Sequence, residues 1–209
     1  MMNMKLHEQT KRCLAASLLF IICSLCFSEA RAASPFDNPD TIVVARDGTG
    51  QFRNIDDAIE VCRAFMDYHK VIFVKKGTYK EKVIIPQWLQ NIEICGEDRD
   101  ATVINYDDHA NIPMDAKLWP AETSRQLLAM GDRPKLGTFR SFTLRIDGND
   151  ITLKNITIEN NSARLGQAVA LHTQGDRLTF IGCRFLGHQD TVYTGMPRTR
   201  LFFSDCYIE

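Results

Sequence analysis

The amino-acid sequence predicts an all-β fold, a parallel β-helix capped at its N-terminal end by one helix. Three observations predict it. Short β-type runs separated by turn residues fill most of the chain. Only one stretch shows convincing helical spacing. And three runs repeat one pattern: Ile151–Asn160, Leu178–Gly187 and Leu201–Glu209 each place apolar residues at the first, third, sixth and eighth steps. The fifth step is Asn155, Gly182 or Asp205, residue types that tolerate a left-handed backbone. Each unit therefore reads as two short strands joined by a sharp bend. Ile156, Cys183 and Cys206 share one place, and Ile158, Phe185 and Ile208 another. The units recur after 27 and then 23 residues, a period that suits one coil of a solenoid with like residues stacked in columns. A sandwich or barrel has no reason to keep the same residue type at the same step.

Taken in order, Thr41–Ala45 reads as a first strand, and Asp47-Gly48-Thr49-Gly50 as a turn. Phe52, Ile55, Ala58, Ile59, Cys62, Phe65 and Met66 recur at helical spacing, with Asn54 as the cap and Asp56 and Asp57 in the first turn. This helix would close the N-terminal end of the stack. Strands are expected at 71–74, 82–85, 91–95 and 102–106. A second set is expected at 143–146, 151–159, 168–172, 178–186, 191–194 and 201–208. Residues 107–142 interrupt the pattern with a polar stretch that includes Asp107-Asp108-His109, Trp119, Pro120, Met130 and Pro134. A connection of that length is expected to stand beside one face as a cleft wall, with a disordered insertion as the alternative.

The N-terminus reads as a signal peptide over residues 1–32, leaving 33–209 as the β-helix domain. Lys5, Lys11 and Arg12 form a basic region, Cys13–Phe27 is apolar, and Ala30-Arg31-Ala32 is a small-residue cleavage site. Secretion or a periplasmic home is the expectation, with no membrane span in the mature chain. Of 25 basic and 26 acidic residues, the signal removes four and two, leaving 21 against 24, net −3. That balance offers no electrostatic footprint for nucleic acid. Cys62, Cys95, Cys183 and Cys206 remain; the even count permits two disulfides, and buried small hydrophobes are the alternative. Their spacing does not suit a zinc site.

The densest polar cluster is Gly187-His188-Gln189-Asp190-Thr191. An acid beside an amide fits hydrolysis, because the carboxyl can move a proton and the amide N–H can hold a developing oxyanion. A second amide, Gln167, precedes Ala168-Val169-Ala170-Leu171, and lies 22 residues before Gln189, close to one coil. The two amides are then expected on adjacent coils of one face, either as an active site or as a ladder of stacked polar residues at a bend.

Several of these segments resemble one family. Gly166-Gln167-Ala168-Val169-Ala170-Leu171 and Gly187-His188-Gln189-Asp190-Thr191-Val192-Tyr193 are similar to two signature segments of the pectinesterases (carbohydrate esterase family 8). Gly77-Thr78-Tyr79-Lys80-Glu81 and Gly137-Thr138-Phe139-Arg140 resemble two more, and Asp205-Cys206-Tyr207-Ile208-Glu209 resembles the run into the next. The resemblance covers 41–209 apart from the insertion at 107–136, and ordered motifs together are more specific than any one. It implies a right-handed parallel β-helix of the pectin lyase-like type, acting on methyl-esterified pectin, a polygalacturonan, with water to give pectate and methanol. It implies no cofactor and no metal. Asp190 matches the acid/base aspartate. Gln189 and Gln167 match the glutamines that stabilise the oxyanion, and Thr138 and Gln167 match substrate-binding positions. Tyr79 and Glu81 are read as structural.

The resemblance also has departures. The family's nucleophilic aspartate sits in a G-x-V-D-F-I-F-G segment expected directly after Glu209, and its L-G-R-P-W segment is expected later still. The chain thus resembles the N-terminal part of a pectinesterase, a β-helix incomplete at its C-terminal end and expected to be inactive by itself. His188 stands where the family usually has Tyr or Phe. Asp176 and Asp205 are read as bend formers. The alternatives are a catalytically inactive pectin-binding remnant, or another β-helix enzyme on polygalacturonate. A glycosidase of that kind would need two carboxyls flanking one bond, and a lyase a calcium-binding acid cluster.

Overall fold

The computed structural model describes residues 41–113 and 135–209. The signal-peptide reading of residues 1–32 lies outside the described residues, as do Trp119, Pro120, Met130 and Pro134 of the insertion. The elements are β1 (Thr41–Val44), α1 (Ile55–Glu60), β2 (Lys70–Val74), β3 (Gly77–Lys80), β4 (Val83–Ile85), β5 (Gln90–Gly96) and β6 (Thr102–Tyr106). A 3-10 helix follows over Thr138–Arg140, then β7 (Leu144–Ile146), β8 (Asn149–Lys154), β9 (Thr157–Asn160) and β10 (Leu171–Thr173). The last are β11 (Leu178–Ile181), β12 (Arg184–Leu186), β13 (Val192–Thr194), β14 (Leu201–Ser204) and β15 (Tyr207–Ile208).

The strands form three sheets, ordered β1-β2-β5-β8-β11-β14, β4-β7-β10-β13 and β3-β6-β9-β12-β15. All strand pairs within them are parallel. From β2 onward each complete coil gives one strand to each sheet, so neighbours in a sheet lie one coil apart in sequence. This is a parallel β-helix.

The register matches the repeat read from the sequence. Ile158, Phe185 and Ile208 pair across successive coils. At the bend before them, Asn155, Gly182 and Asp205 have φ of 49°, 61° and 53°. Inward positions stack in columns: Ile42, Ile72, Ile94, Leu153, Phe180 and Phe203 pair in turn along the first sheet. Phe180 lies parallel to Phe203 with ring centroids 4.6 Å apart and meets Phe185 edge-on at 5.6 Å. Burying each such side chain stabilises the fold by about 1.5–3 kcal/mol, and a solenoid has no other core to draw on.

A second left-handed column, Asn91, Asp150 and Arg177, lies at the corner entering the first sheet, with φ of 58°, 56° and 57°. Arg177 is no turn residue, and its backbone conformation costs about 1–2 kcal/mol. Its guanidinium forks onto both carboxylate oxygens of Asp150, one coil earlier, and that pair holds the Asp150 carboxyl below its usual range. Asp176 accepts in the same way from Arg200, one coil later. Asp176 and Asp205 thus serve the bends, as read from the sequence.

The helix is shorter than the apolar spacing over 52–66 predicts. Ile55, Ala58, Ile59, Cys62 and Met66 are all buried. Only residues 55–60 are helical, and Phe65, at φ 56°, turns outward and is 76% exposed. The buried spacing survives because the chain beyond Glu60 folds back over the same end of the core. Asn54 makes no side-chain cap. Glu81 does so from another coil: its Oε2 accepts from the backbone N–H of Ile55 at 2.8 Å and of Asp56 at 3.1 Å. Tyr79 is fully buried and donates its hydroxyl to the Lys75 carbonyl at 2.8 Å.

Burial raises the Glu81 carboxyl above its ordinary 4.5, against the two N–H bonds that favour the anion. A raised folded value means stability that is complete below 4.5 and lost as pH rises through the folded value. Glu81→Gln keeps an oxygen acceptor and removes the ionisation. The expected result is a urea midpoint that falls from pH 4 to 7 in the native chain and falls less in the variant. Equal slopes in the two proteins would refute this assignment.

Cys62, Cys95, Cys183 and Cys206 are all free: Cys62 and Cys183 are buried, as the small-hydrophobe alternative has it, while Cys95 and Cys206 are half-buried. Burial pushes the Cys62 thiol up to about 11 and the Cys183 thiol up to about 12.

Candidate active site

Each coil has three corners, and one of them carries Thr138, Gln167, Gln189 and Asp190. It joins the β3-β6-β9-β12-β15 sheet to the β4-β7-β10-β13 sheet. Its connections are 81–82, 107–143, 161–170 and 187–191, whereas the corner before β6, β9, β12 and β15 needs only 97–101, 155–156, 182–183 and 205–206. Long connections stacked at one corner can project polar groups without disturbing the columns inside.

Backbone hydrogen bonds align three of these connections side by side. Gly137 N–H donates to the Ala110 carbonyl at 2.9 Å, Ala110 N–H to Gln167 at 2.7 Å, and Ala168 N–H to Gln189 at 3.0 Å. Thr138, Gln167 and the Gln189–Asp190 pair are thereby brought to one corner on successive levels. Gln167 and Thr138 are half-buried, while Gln189 and Asp190 are exposed. The two glutamines do lie on adjacent coils of one face, as their spacing predicts.

The loop 187–191 is closed by a single carbonyl. Glu209 O accepts from Gly187 N–H at 3.0 Å and from the Thr191 hydroxyl at 2.8 Å. A Cβ on Gly187 would meet Thr191 Oγ1 at 2.8 Å, so the closure requires glycine. Within the loop Asp190 has φ 58°, a conformation that Asp and Asn accept more readily than other side chains. That turn exposes His188, Gln189 and Asp190 together. His188 lines a shallow cleft with Glu159, Asn161, Leu186 and Glu209.

Thr138 opens the 3-10 helix after Gly137, whose φ is 74°. Its carbonyl accepts from Ser141 N–H at 3.1 Å and from the Ser141 hydroxyl at 2.9 Å. Lys82, from the first coil, pairs with Asp108 and donates to the Arg140 carbonyl at 2.6 Å.

One residue that the sequence reading did not single out pins the corner. Asn160 is 1% exposed. Its side-chain amide N–H groups reach the carbonyls of Asp108 at 2.9 Å, Ser141 at 2.9 Å and Val169 at 3.2 Å. Its Oδ1 accepts from Ser162 N–H at 3.1 Å. A buried amide so fully used rigidifies its surroundings. The available signal was its place at the end of an inward-alternating strand, where an apolar residue is expected.

The comparisons with known proteins bear on the fold and the family. The Pectinesterase family model matches residues 41–118 and 124–209. A pectinesterase/pectinesterase inhibitor of Brassica campestris is 33% identical over 159 residues, which are 76% of this chain and 24% of that protein. Pectinesterase 31 of Arabidopsis thaliana is 32% identical over 167 residues, 79% of this chain and 48% of that protein. Among solved structures, the pectin methylesterase from carrot superposes with a TM-score of 0.65 at 28% identity, covering 80% of this chain and 45% of that one. PemA from Erwinia chrysanthemi gives 0.65 at 28% identity, covering 81% and 48%. This chain therefore spans between about a quarter and a half of the relatives it matches. With a parallel β-helix, the motif residues stacked at one corner and a family match over most of its length, the chain belongs to the pectinesterase family.

Proposed function

We propose that this corner is the acid and oxyanion part of a site that hydrolyses the methyl esters of galacturonic acid in pectin. The single observation that supports the reading is the backbone ladder through Gly137, Ala110, Gln167, Ala168 and Gln189, which brings the segments that carry Thr138, Gln167, Gln189 and Asp190 to one corner. A related pectin methylesterase, 29% identical with a TM-score of 0.65, has been solved in complex with a hexasaccharide. That supports a polysaccharide substrate here.

In the proposed reaction an aspartate carboxylate attacks the ester carbonyl. The Gln167 and Gln189 amides donate to the oxyanion of the tetrahedral intermediate. Asp190 gives its proton to the departing methanol oxygen, leaving an acyl-enzyme anhydride. Asp190, now a carboxylate, takes a proton from water, whose oxygen attacks the acyl carbon and releases pectate and the first aspartate. Thr138 and Gln167 contact the sugar. The nucleophile is assigned to an aspartate that the family pattern sets after Glu209.

Products test the reading. Highly methyl-esterified pectin is incubated with the chain extended through the coding sequence that follows Glu209. Methanol without new reducing or unsaturated sugar ends is the expected result. New chain ends without methanol would replace the esterase reading with a glycosidase or a lyase.

A further inference from the structure

The outer face of the β4-β7-β10-β13 sheet carries Ile84, Arg145, His172 and Tyr193 as one registered column. Side chains on an outer face are ordinarily wet, and Ile84 is 40% exposed. His172 is 0% exposed. It is covered by Phe139, edge-on with ring centroids 4.6 Å apart, by Tyr193 at 4.9 Å and by Phe142 at 6.1 Å. Phe139 follows Thr138 directly, Tyr193 stands three residues beyond Asp190, and His172 itself ends the run that begins at Gln167. One ring thus touches all three arms of the candidate site.

Both ring nitrogens have partners. Nδ1 lies 3.2 Å from the Phe139 carbonyl, and Nε2 lies 3.4 Å from the Gln174 side-chain nitrogen. A carbonyl only accepts, so Nδ1 carries the proton and Nε2 accepts from the Gln174 amide. Charged groups surround the ring on two sides. The Arg145 guanidinium sits 4.8 Å over the Phe139 ring and is paired with Asp147 at 2.7 Å. Lys82, paired with Asp108, sits 4.8 Å over Phe142. Burial first, and the Arg145 charge second, hold the imidazole below its ordinary 6.5, which keeps it uncharged at neutral pH.

We propose that His172 is a positioning residue for the esterase site, fastening the Thr138–Arg140 segment to the strand that follows Gln167 and to the loop that carries Asp190. The proposal rests on reading this corner as the ester-binding site. His172→Phe keeps a ring for Phe139 and Tyr193 to pack on and removes the bond to the Phe139 carbonyl. His172→Asn restores a short amide donor near the place of Nδ1.

The test compares the full chain with both variants by amide hydrogen exchange and by titration with methyl-esterified hexagalacturonate. One lost hydrogen bond of about 1.4 kcal/mol corresponds to tenfold. His172→Phe is therefore expected to lower the protection of the Arg140 and Ser141 amides about tenfold and to weaken hexagalacturonate binding about tenfold, with His172→Asn recovering part of both. Unchanged protection and affinity in the Phe variant would overturn the proposal. If the native chain itself does not bind the hexagalacturonate, the ester-site reading fails, and amide exchange alone decides whether His172 holds the segment. Should the Phe variant not fold, the nitrogen-15 spectrum of the native imidazole decides. A proton on Nδ1 at neutral pH supports the assignment, and a proton on Nε2 or a doubly protonated ring overturns it.

Discussion

Asp190→Asn is expected to lower methanol release from pectin about 10²–10⁴-fold while leaving the fold intact, because the variant removes the proton donor for the departing methoxide. The choice of Asn matters. Asp190 stands at φ 58°, where Asn is tolerated and Ala is strained by about 1–2 kcal/mol. An alanine variant would mix lost chemistry with a shifted loop, and the shift would reach Gln189 as well. Gln189→Ala is expected to cost about 10²–10³-fold through the loss of one oxyanion donor. Both effects should fall on kcat more than on KM, since neither group is asked to hold the ground-state sugar. The measurement is initial-rate methanol release by the chain extended past Glu209, with circular dichroism as the fold control. An Asp190→Asn enzyme within threefold of the native rate would end the assignment of this carboxyl as the acid.

Phe180→Ala should be the most destabilising single truncation in the core, at about 3–5 kcal/mol. The ring is fully buried, stacks on Phe203 one coil above and meets Phe185 on the next sheet. In a solenoid the column on one side of the cavity and the sheet opposite are both held by long backbone ladders, so neither can collapse inward to refill the space. Phe202, next to Phe203 on β14, faces outward and is 59% exposed. Phe202→Ala should therefore change stability by less than about 0.5 kcal/mol. Urea unfolding followed by circular dichroism measures both. A Phe180→Ala loss no larger than that of Phe202→Ala would mean that the stacked column does not hold the coils together.

How much of this could be read from the residues follows from the range of each interaction. The repeat was legible because a β-helix stacks like on like. Ile158, Phe185 and Ile208 pair in register because each obeys the same local alternation and the same bend at Asn155, Gly182 or Asp205. The candidate site was legible as far as Gln167 and Gln189 lie one coil apart, and the resemblance to the family's segments supplied the roles proposed for Asp190 and Thr138. The second left-handed column was not legible. Arg177 is held there by Asp150, 27 residues earlier, and nothing about an arginine signals a bend.

The sequence by itself determined the solenoid, its columns, its family and the corner that carries the polar motifs, since all of these are written in local spacing and residue type. Only the tertiary structure decided what caps the helix, what ties the corner together and what covers the outer sheet face. Glu81 replaces Asn54 as the cap from another coil. Asn160 gathers carbonyls from residues 108, 141 and 169. His172 is buried on a face where alternation predicts exposure, because the Thr138–Arg140 segment folds over it. Each of these depends on a partner brought alongside by coiling, and periodicity within one strand carries no information about which residue the next coil will set beside it.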